Sequence, residues 1–443
     1  MSEERWDIPL TWSWSSLGEL AEVVGGGTPS TSDDSNFSEH GIAWLTPADL
    51  TDYKDTYIAR GRRDLSEQGY RLSAARLLPP GTVLFTSRAP IGYCAIASTE
   101  ISTNQGFKSF VLKGGISPEY IRYYLLASVE YAESKASGTT FKELSGSRAA
   151  ELTVPISPLP EQRRIVTKID SLSAKSKRAR DHLDHTPLLV EKYKQAILAA
   201  AFRGNLTADW RASNARKNSS EWNKRQLIDI CDAQRPITYG VIKLGPEMPN
   251  GVPCLRTSNV RWLRVDVEGM KRISPKLSSE YARTVLRGGE VLVNVRGTLG
   301  GVAVATPSMT GWNVSREVAV APVDTAVVEP NYLAFWIGAY ASQRWLNRVE
   351  KGVAYTGINL EDLRKLPVEF PSMDQQREII RRIETAFALI DRLACEVTNA
   401  RKLIDHLDQA VLAKAFMGEL VPQDPSDEPA SMLLDELLKG RAK

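Results

Sequence analysis

Two clusters of side chains match the edges of nucleic-acid bases: Arg88, Asn104, Gln105 and Lys108 in the first half of the chain, and Arg256, Asn259, Asn294, Arg296 and Arg316 in the second. Arginine can grip guanine through two hydrogen bonds, and asparagine or glutamine can do the same for adenine. Each such pair discriminates by about 1 to 3 kcal/mol, so three or four per cluster suffice for half of a recognition site. Other chemistry finds little support. His182 and His185, two of four histidines, stand three apart on one face of a predicted helix and could share a metal, but a solvated face is the expectation. Cys94, Cys231, Cys254 and Cys395 lie far apart, without the spacing of a zinc site or a disulfide framework, which suits a reducing compartment. Leu78-Pro79-Pro80-Gly81 lacks the polar and aromatic ends of the tetrapeptide that grips a target amine in adenine methyltransferases. Gly25-Gly26-Gly27 runs into Thr28-Pro29 rather than opening a helix, so no phosphate cradle is expected. No catalytic residue, metal or cofactor is expected in this chain.

Composition narrows the partner less than the clusters do. The 443 residues exceed a usual single core, so two domains or more are expected. With 56 Lys and Arg against 53 acids the net charge is only +3, so any basic surface must be local. Lys175, Lys177, Arg178 and Arg180 could touch phosphates, although a solvated helix face is the simpler reading. The opening MSEERWDIPL lacks the apolar core of a signal peptide, and no apolar run approaches the roughly 18 residues of a membrane span. A soluble cytoplasmic protein without membrane contact is expected.

The sequence repeats itself. Gln195 to Leu206 (QAILAAAFRGNL) matches Gln409 to Leu420 (QAVLAKAFMGEL) at an offset of 409 − 195 = 214, and Gln162-Arg163 matches Gln376-Arg377 at the same offset. Fainter matches align Trp12 to Leu20 with Trp222 to Ile230 and Trp44 to Leu50 with Cys254 to Val260, both at 210. Pro80 to Leu84 aligns with Gly288 to Leu292 at 208. Apolar positions persist while polar ones differ, as expected of two readers of different targets.

Long helices separate the repeats. Between Pro160 and Phe202 there is no glycine, and from Ser372 to Met417 neither glycine nor proline. Ser372 with Gln375 suggests a capping box, and Gly204 and Gly418 sit where C-terminal caps belong. Ile380, Ile383, Phe387, Ile390, Ala394 and Val397 step by threes and fours as a coiled-coil seam, kept in phase by Ile404 and Val411. The first copy's seam, Val166, Ile169, Ser173, Ser176, Arg180 and Leu183, is poorer, and Pro187 should kink it. A helix of this length needs a partner, and the simplest is the other helix, antiparallel about a pseudo-two-fold axis. Roughly 44 residues at about 1.5 Å give a rod of about 65 Å.

The remaining stretches read as mixed α and β. Strands are expected at Thr82 to Thr86, Tyr93 to Ala97, Phe107 to Leu112 and Glu290 to Val295, followed in each copy by one helix, opened by Pro118 or Pro330. Polar side chains and glycines fall on loops held by the sheet.

These segments resemble a known family, the specificity subunits of Type I restriction-modification systems. Val24-Gly25-Gly26-Gly27-Thr28-Pro29-Ser30-Thr31, Ile42 to Leu50, Leu78 to Gly92 and Thr103 to Ser109 resemble one class of its target-recognition domains. The repeated Pro-x-x-Glu-Gln-Arg and Gln-Ala-x-Leu-x-x-Ala-Phe-x-Gly segments resemble its two constant regions. The resemblance implies an α+β chain in which two globular α/β target-recognition domains, related by a pseudo-two-fold axis, are joined by two long helices forming an antiparallel coiled coil. Residues 1–155 are then the first domain, 156–205 the central helix, 206–221 a linker, 222–369 the second domain, 370–420 the C-terminal helix and 421–443 a tail with a short helix. It further implies double-stranded DNA as ligand, read as a bipartite, asymmetric site, with two modification subunits and two restriction subunits as partners. S-adenosylmethionine, ATP and magnesium belong to those partners. Thr28, Pro29, Ser30, Thr46, Asp49, Ser87, Ser258, Ser315 and Tyr355 complete the candidate DNA contacts, and Gln162, Arg163, Ile169, Phe202, Gln376, Arg377, Ile383, Phe387, Ile390 and Phe416 are the candidate partner-binding positions. The second domain departs from the first, with Gly297-Thr298-Leu299-Gly300 for Ala89-Pro90-Ile91-Gly92 and Ser315-Arg316-Glu317 near Asn104-Gln105-Gly106. A coiled-coil protein adaptor without DNA contact is the first alternative, one that would lack the steep salt dependence of DNA binding, and a self-contained adenine methyltransferase is the second.

Overall fold

The computed structural model describes residues 6–138, 142–214, 221–350 and 357–439. Two compact units divide the chain: Met1–Leu183 with Asn399–Lys443, and Asp184–Thr398. In unit 1 the strands β1 (Ala21–Gly25), β2 (Tyr57–Ile58), β3 (Val83–Ser87), β4 (Ile91–Ala97) and β5 (Phe107–Leu112) form one sheet in the order β1-β5-β3-β4-β2. All five residues of β3 are buried, as a short unbroken run of Val, Leu and Phe predicts for a central strand. Over this sheet lie α1 (Pro118–Ala127) and α2 (Val129–Lys135). Ser117 caps α1 by accepting a hydrogen bond from the Tyr120 N–H at 3.2 Å. Next come α3 (Leu159–Asp184) and, opening unit 2, α4 (Thr186–Phe202). Instead of bending one helix, Pro187 sits in the first turn of a new one, because its ring cannot donate to the preceding turn.

Unit 2 repeats the plan. Its sheet runs β6 (Thr238–Tyr239), β9 (Val318–Ala321), β7 (Val291–Asn294), β8 (Val302–Val304). The helices α5 (Pro330–Gly338), α6 (Tyr340–Val349) and α7 (Met373–Phe416) follow, and α8 (Ala430–Lys439) closes unit 1. Where one helix is expected in each copy, two form. The break in unit 2 falls at Ala339, whose backbone is extended. The Gly338 carbonyl freed there accepts from the Trp262 indole at 2.8 Å and from Gln195 at 3.0 Å, so side chains replace the helical bond. Each unit also has the same terminal ladder: Ser13–Ser16 pairs antiparallel with Thr153–Ile156, and Asn223–Gln226 with Pro367–Phe370.

Gly204 and Gly418 take left-handed φ values of 78° and 76° at the helix ends, as expected of C-terminal caps. The expected capping box at Ser372 does not form: Gln375 instead donates to Thr207 Oγ1 at 3.2 Å, and its carbonyl oxygen is buried without a partner. Within unit 1, Arg180 meets Asp405 at 2.9 Å and Ser176 donates to Asp408 at 2.6 Å, so the end of α3 and the last part of α7 run in opposite directions. Ser173 of the expected seam is exposed, and Leu172 is half-buried beside it. Within unit 2, Lys194 of α4 pairs with Asp391 of α7. Ile383 is fully buried there, and Phe387 and Ile390 are half-buried.

Candidate nucleic-acid interface

In both units, loops converge at a short parallel pairing. In unit 1, Trp44–Leu45 pairs with Ser102–Thr103, the Asn104 N–H donates to the Leu45 carbonyl at 2.9 Å, and the Gly27 N–H donates to Thr103 at 2.9 Å. The Ser87 N–H reaches the Gly106 carbonyl at 2.7 Å. This brings the Thr28, Thr46, Ser87–Arg88 and Asn104–Lys108 segments together. Thr28 donates to Gln105, whose side chain is exposed. Close backbone approach explains the glycines: a Cβ on Gly26 would lie 2.1 Å from the Asn104 carbonyl oxygen.

Unit 2 copies this framework with other side chains. Cys254–Leu255 pairs in parallel with Asn313–Val314, the Ser315 N–H donates to Leu255 at 2.8 Å, and Val241 donates to Val314 at 2.8 Å. The Val295 N–H reaches Glu317 at 2.9 Å, as Ser87 reaches Gly106. Ser315, Arg316 and Glu317 therefore stand where unit 1 has Asn104, Gln105 and Gly106, and Arg296 stands where it has Arg88. Arg296 and Arg316 are exposed, and the Arg296 guanidinium lies 5.9 Å from the ring centroid of Tyr239. Tyr239, itself exposed at the end of β6, is a candidate that sequence reading missed; its only signal is an aromatic beside Gly240. Glu143, paired with Arg88 at 3.5 Å and Lys108 at 3.7 Å, was also missed.

Several expected contacts serve the loops instead. Asp49 accepts from the Thr46 N–H at 2.8 Å and hydroxyl at 2.6 Å, and from the Arg62 N–H at 3.1 Å. Burial opposes its charge, but these bonds outweigh that and hold the carboxyl below its ordinary range. Asn259, at the matching position, is fully buried; it accepts from the Arg256 N–H at 3.0 Å and donates to Asp266 at 3.0 Å. Asn294 is buried too, donating to Val260 and Thr298, each at 3.0 Å. Pro29, Ser87 and Ser315 are buried, and Asn104 accepts from the Gly106 N–H at 2.8 Å. Arg256 donates to the Gly269 carbonyl at 2.8 Å. These groups satisfy the polar backbone of tight turns, which removes Asp49, Asn259 and Asn294 from direct base contact. Ser30 and Ser258 are exposed; Tyr355 lies outside the described residues.

Of the helix positions, Gln162, Ile169, Gln376, Ile383 and Phe416 are buried within their own units, so they bind the unit rather than a partner's surface. Phe416 meets Tyr120 and Tyr124 edge-on, with ring centroids at 5.1 and 5.2 Å, and Phe202 meets Tyr332 and Trp336 at 5.5 and 4.9 Å. Arg163 is exposed, and Arg377 pairs with Glu329 at 2.8 Å. His182 and His185 are exposed, and α3 ends between them. Burial pushes the thiols of Cys94, Cys231 and Cys254 up to about 12, leaving them protonated and unreactive at neutral pH. Among the described residues no group of three or more His, Cys, Asp or Glu could hold a metal, and no helix is long and apolar enough to cross a membrane.

A duplicated unit with reading loops at matched places defines the class: the chain belongs to the Type I restriction modification DNA specificity domain family, whose model matches residues 9–181 and 219–399. It is 30% identical over 326 residues to the Type I restriction enzyme EcoBI specificity subunit of Escherichia coli, covering 70% of this chain and 69% of that one. Against the MjaIX specificity subunit of Methanocaldococcus jannaschii it is 27% identical over 431 residues, covering 93% and 94%. Its fold is that of the HsdS subunit from Thermoanaerobacter tengcongensis, with a TM-score of 0.57 at 20% identity over 95% of this chain and all of that one. A chain from a structure of a type I R-M system undergoing complex assembly and conformational transition matches with a TM-score of 0.67 at 20% identity, over 94% of this chain and all of that one.

Proposed function

We propose that this chain reads a bipartite, asymmetric DNA site and itself performs no chemistry. One observation carries the reading: the two units hold the same loop framework and a matched arginine, Arg88 and Arg296, but differ in the polar side chains beside it, Asn104 and Gln105 against Ser315 and Arg316. A shared scaffold with unlike fingers suits two unlike half-sites. The opposed helix ends in unit 1 support an antiparallel coiled coil that sets the gap between the half-sites. Two modification subunits, using S-adenosylmethionine, and two restriction subunits, using ATP and magnesium, are the proposed partners. The Lys175 to Arg180 run is not assigned to DNA, since Arg180 is already engaged with Asp405 and Asp408.

Mapping methylated adenines in a genome with and without this chain tests the reading. A two-part motif that vanishes with the chain supports it. A duplex carrying that motif should bind with affinity that falls steeply as salt rises. A purified complex that methylates the same motif without the chain, or a chain whose binding ignores salt, would favour the adaptor alternative.

A further inference from the structure

We propose that Glu143 sets the selectivity of unit 1 by occupying Arg88 and Lys108 until a correct base replaces it; this rests on the DNA-reading function above. Glu143 is held in place through its backbone. Its N–H donates to Ser137 at 2.9 Å, its carbonyl accepts from Ser137 at 3.1 Å, and the Leu144 N–H donates to Ser87 at 2.9 Å. It thus stands beside the loop that carries Arg88. Each carboxylate oxygen faces a different cation: Oε2 lies 3.5 Å from Arg88 Nη1 and Oε1 lies 3.7 Å from Lys108 Nζ. Lys108 also reaches Ser87 Oγ at 3.5 Å.

These contacts are long, so a guanine edge presenting two acceptors to Arg88 can displace them. A phosphate of arbitrary sequence meets a local charge of only +1 and a carboxylate that repels it. Selectivity is a difference of affinities, and repulsion toward wrong ligands serves it as well as attraction toward right ones. Among the described residues, the position of unit 2 that matches Glu143 carries no carboxylate. Matching hydrogen bonds place Gly357 where unit 1 has Glu143, since Ile358 donates to Val295 at 2.8 Å as Leu144 does to Ser87. Glycine brings no carboxylate, and Arg296 lies over Tyr239 instead.

The full chain and its Glu143→Gln variant should be titrated with three duplexes: one carrying the mapped methylation motif, and two with one half of that motif scrambled. We expect the variant to bind the duplex scrambled in the unit 1 half several-fold tighter than the parent does. Its slope of log affinity against log salt should steepen by about 0.9, the signature of one more phosphate neutralised. The intact motif should gain less, and in an Arg88→Gln background the change in selectivity should be lost. Equal tightening on all duplexes, or none, would overturn the proposal. Glu143→Asp keeps the charge and should keep the parental ratio; loss of selectivity in both Asp and Gln variants would show that the charge does not set it and would also overturn the proposal. Failure of the parent chain to bind any duplex would instead sink the DNA-reading function itself.

Discussion

Gln162 and Gln376, separated by 376 − 162 = 214 positions, make the same hydrogen bonds in their two units. Nε2 donates to the carbonyl five residues upstream, Ser157 at 2.9 Å and Pro371 at 3.0 Å. Oε1 accepts the backbone N–H of the residue that precedes the domain helix, Ser117 at 3.3 Å and Glu329 at 2.9 Å. One amide thereby fastens the start of a long helix to the start of the helix that covers the sheet. Both amides are buried, so water cannot replace them. Gln162→Leu should strand two backbone groups and Gln376→Leu three, the third being the Val327 carbonyl at 3.1 Å, each change costing about 1 to 3 kcal/mol, read by denaturant unfolding. A variant as stable as the parent would show that the contact is dispensable.

Phe416 should matter more than Phe202. It is wholly buried between Tyr120 and Tyr124, whereas Phe202 is half-buried against Tyr332 and Trp336. Phe416→Ala should cost about 3 to 5 kcal/mol through lost burial and the cavity left behind. Phe202→Ala should cost less. Thermal melting of the two variants checks the order, and a reversed order would contradict the packing.

The loop side chains separate into two kinds, and mutation should tell them apart. Arg296→Gln and Arg316→Gln should weaken recognition of one half-site, by about 1 to 3 kcal/mol where a guanine contact is lost, with unchanged melting temperature. Asn259→Ala should lower stability instead, because the Arg256 N–H and the Asp266 carbonyl lose their buried partner. Binding to single-half variant duplexes, beside a melting curve for each protein, distinguishes the two. Altered base preference from Asn259→Ala at unchanged stability would refute the assignment.

The replacement of Ile383, Phe387 and Ile390 by polar residues has a different expected outcome from that of a purely partner-binding seam. Ile383 is fully buried, and Phe387 stacks near Phe335 and Trp262 at 5.9 and 6.0 Å, inside unit 2's own core. The triple variant should therefore unfold unit 2 before any assembly defect can be read. A well-folded triple variant, judged by far-UV circular dichroism and a cooperative melt, would place these residues outside the core.

What the sequence shows and what it hides follow from the range of the interactions. Long helix spans, capping glycines and the offset of 214 are legible because each depends on local spacing or on comparison of the chain with itself. The roles of Asp49 and Asn259 are not. An acceptor three residues beyond Thr46 or Arg256 looks the same in sequence whether it closes its own turn or faces a ligand. The split at Ala339 is likewise hidden, since it depends on Trp262 and Gln195, distant in sequence, capturing one carbonyl. Glu143 escaped for the same reason: its neighbours Arg88 and Lys108 are 143 − 88 = 55 and 143 − 108 = 35 residues away.

Acid should loosen unit 2 through one arginine. Arg382 donates to both oxygens of Asp209, at 2.6 and 2.8 Å, and to Glu378 at 2.6 Å. The Arg382 hydrogen bonds bring the Asp209 carboxyl down to about 2 from an ordinary 3.8, and Arg381, with Arg382, brings Glu378 down to about 2 from 4.5 against the effect of burial. Both values are depressed on folding, so the unfolded chain binds more protons as pH falls. The stability from these groups is present above about 4.5 and is lost as pH drops toward about 2. Asp209 lies largely in solvent, so salt should shrink its share. Arg382→Gln should lower the melting temperature at neutral pH and flatten its decline across that acid window. Parallel curves for parent and variant would show that Arg382 does not couple the stability of unit 2 to pH.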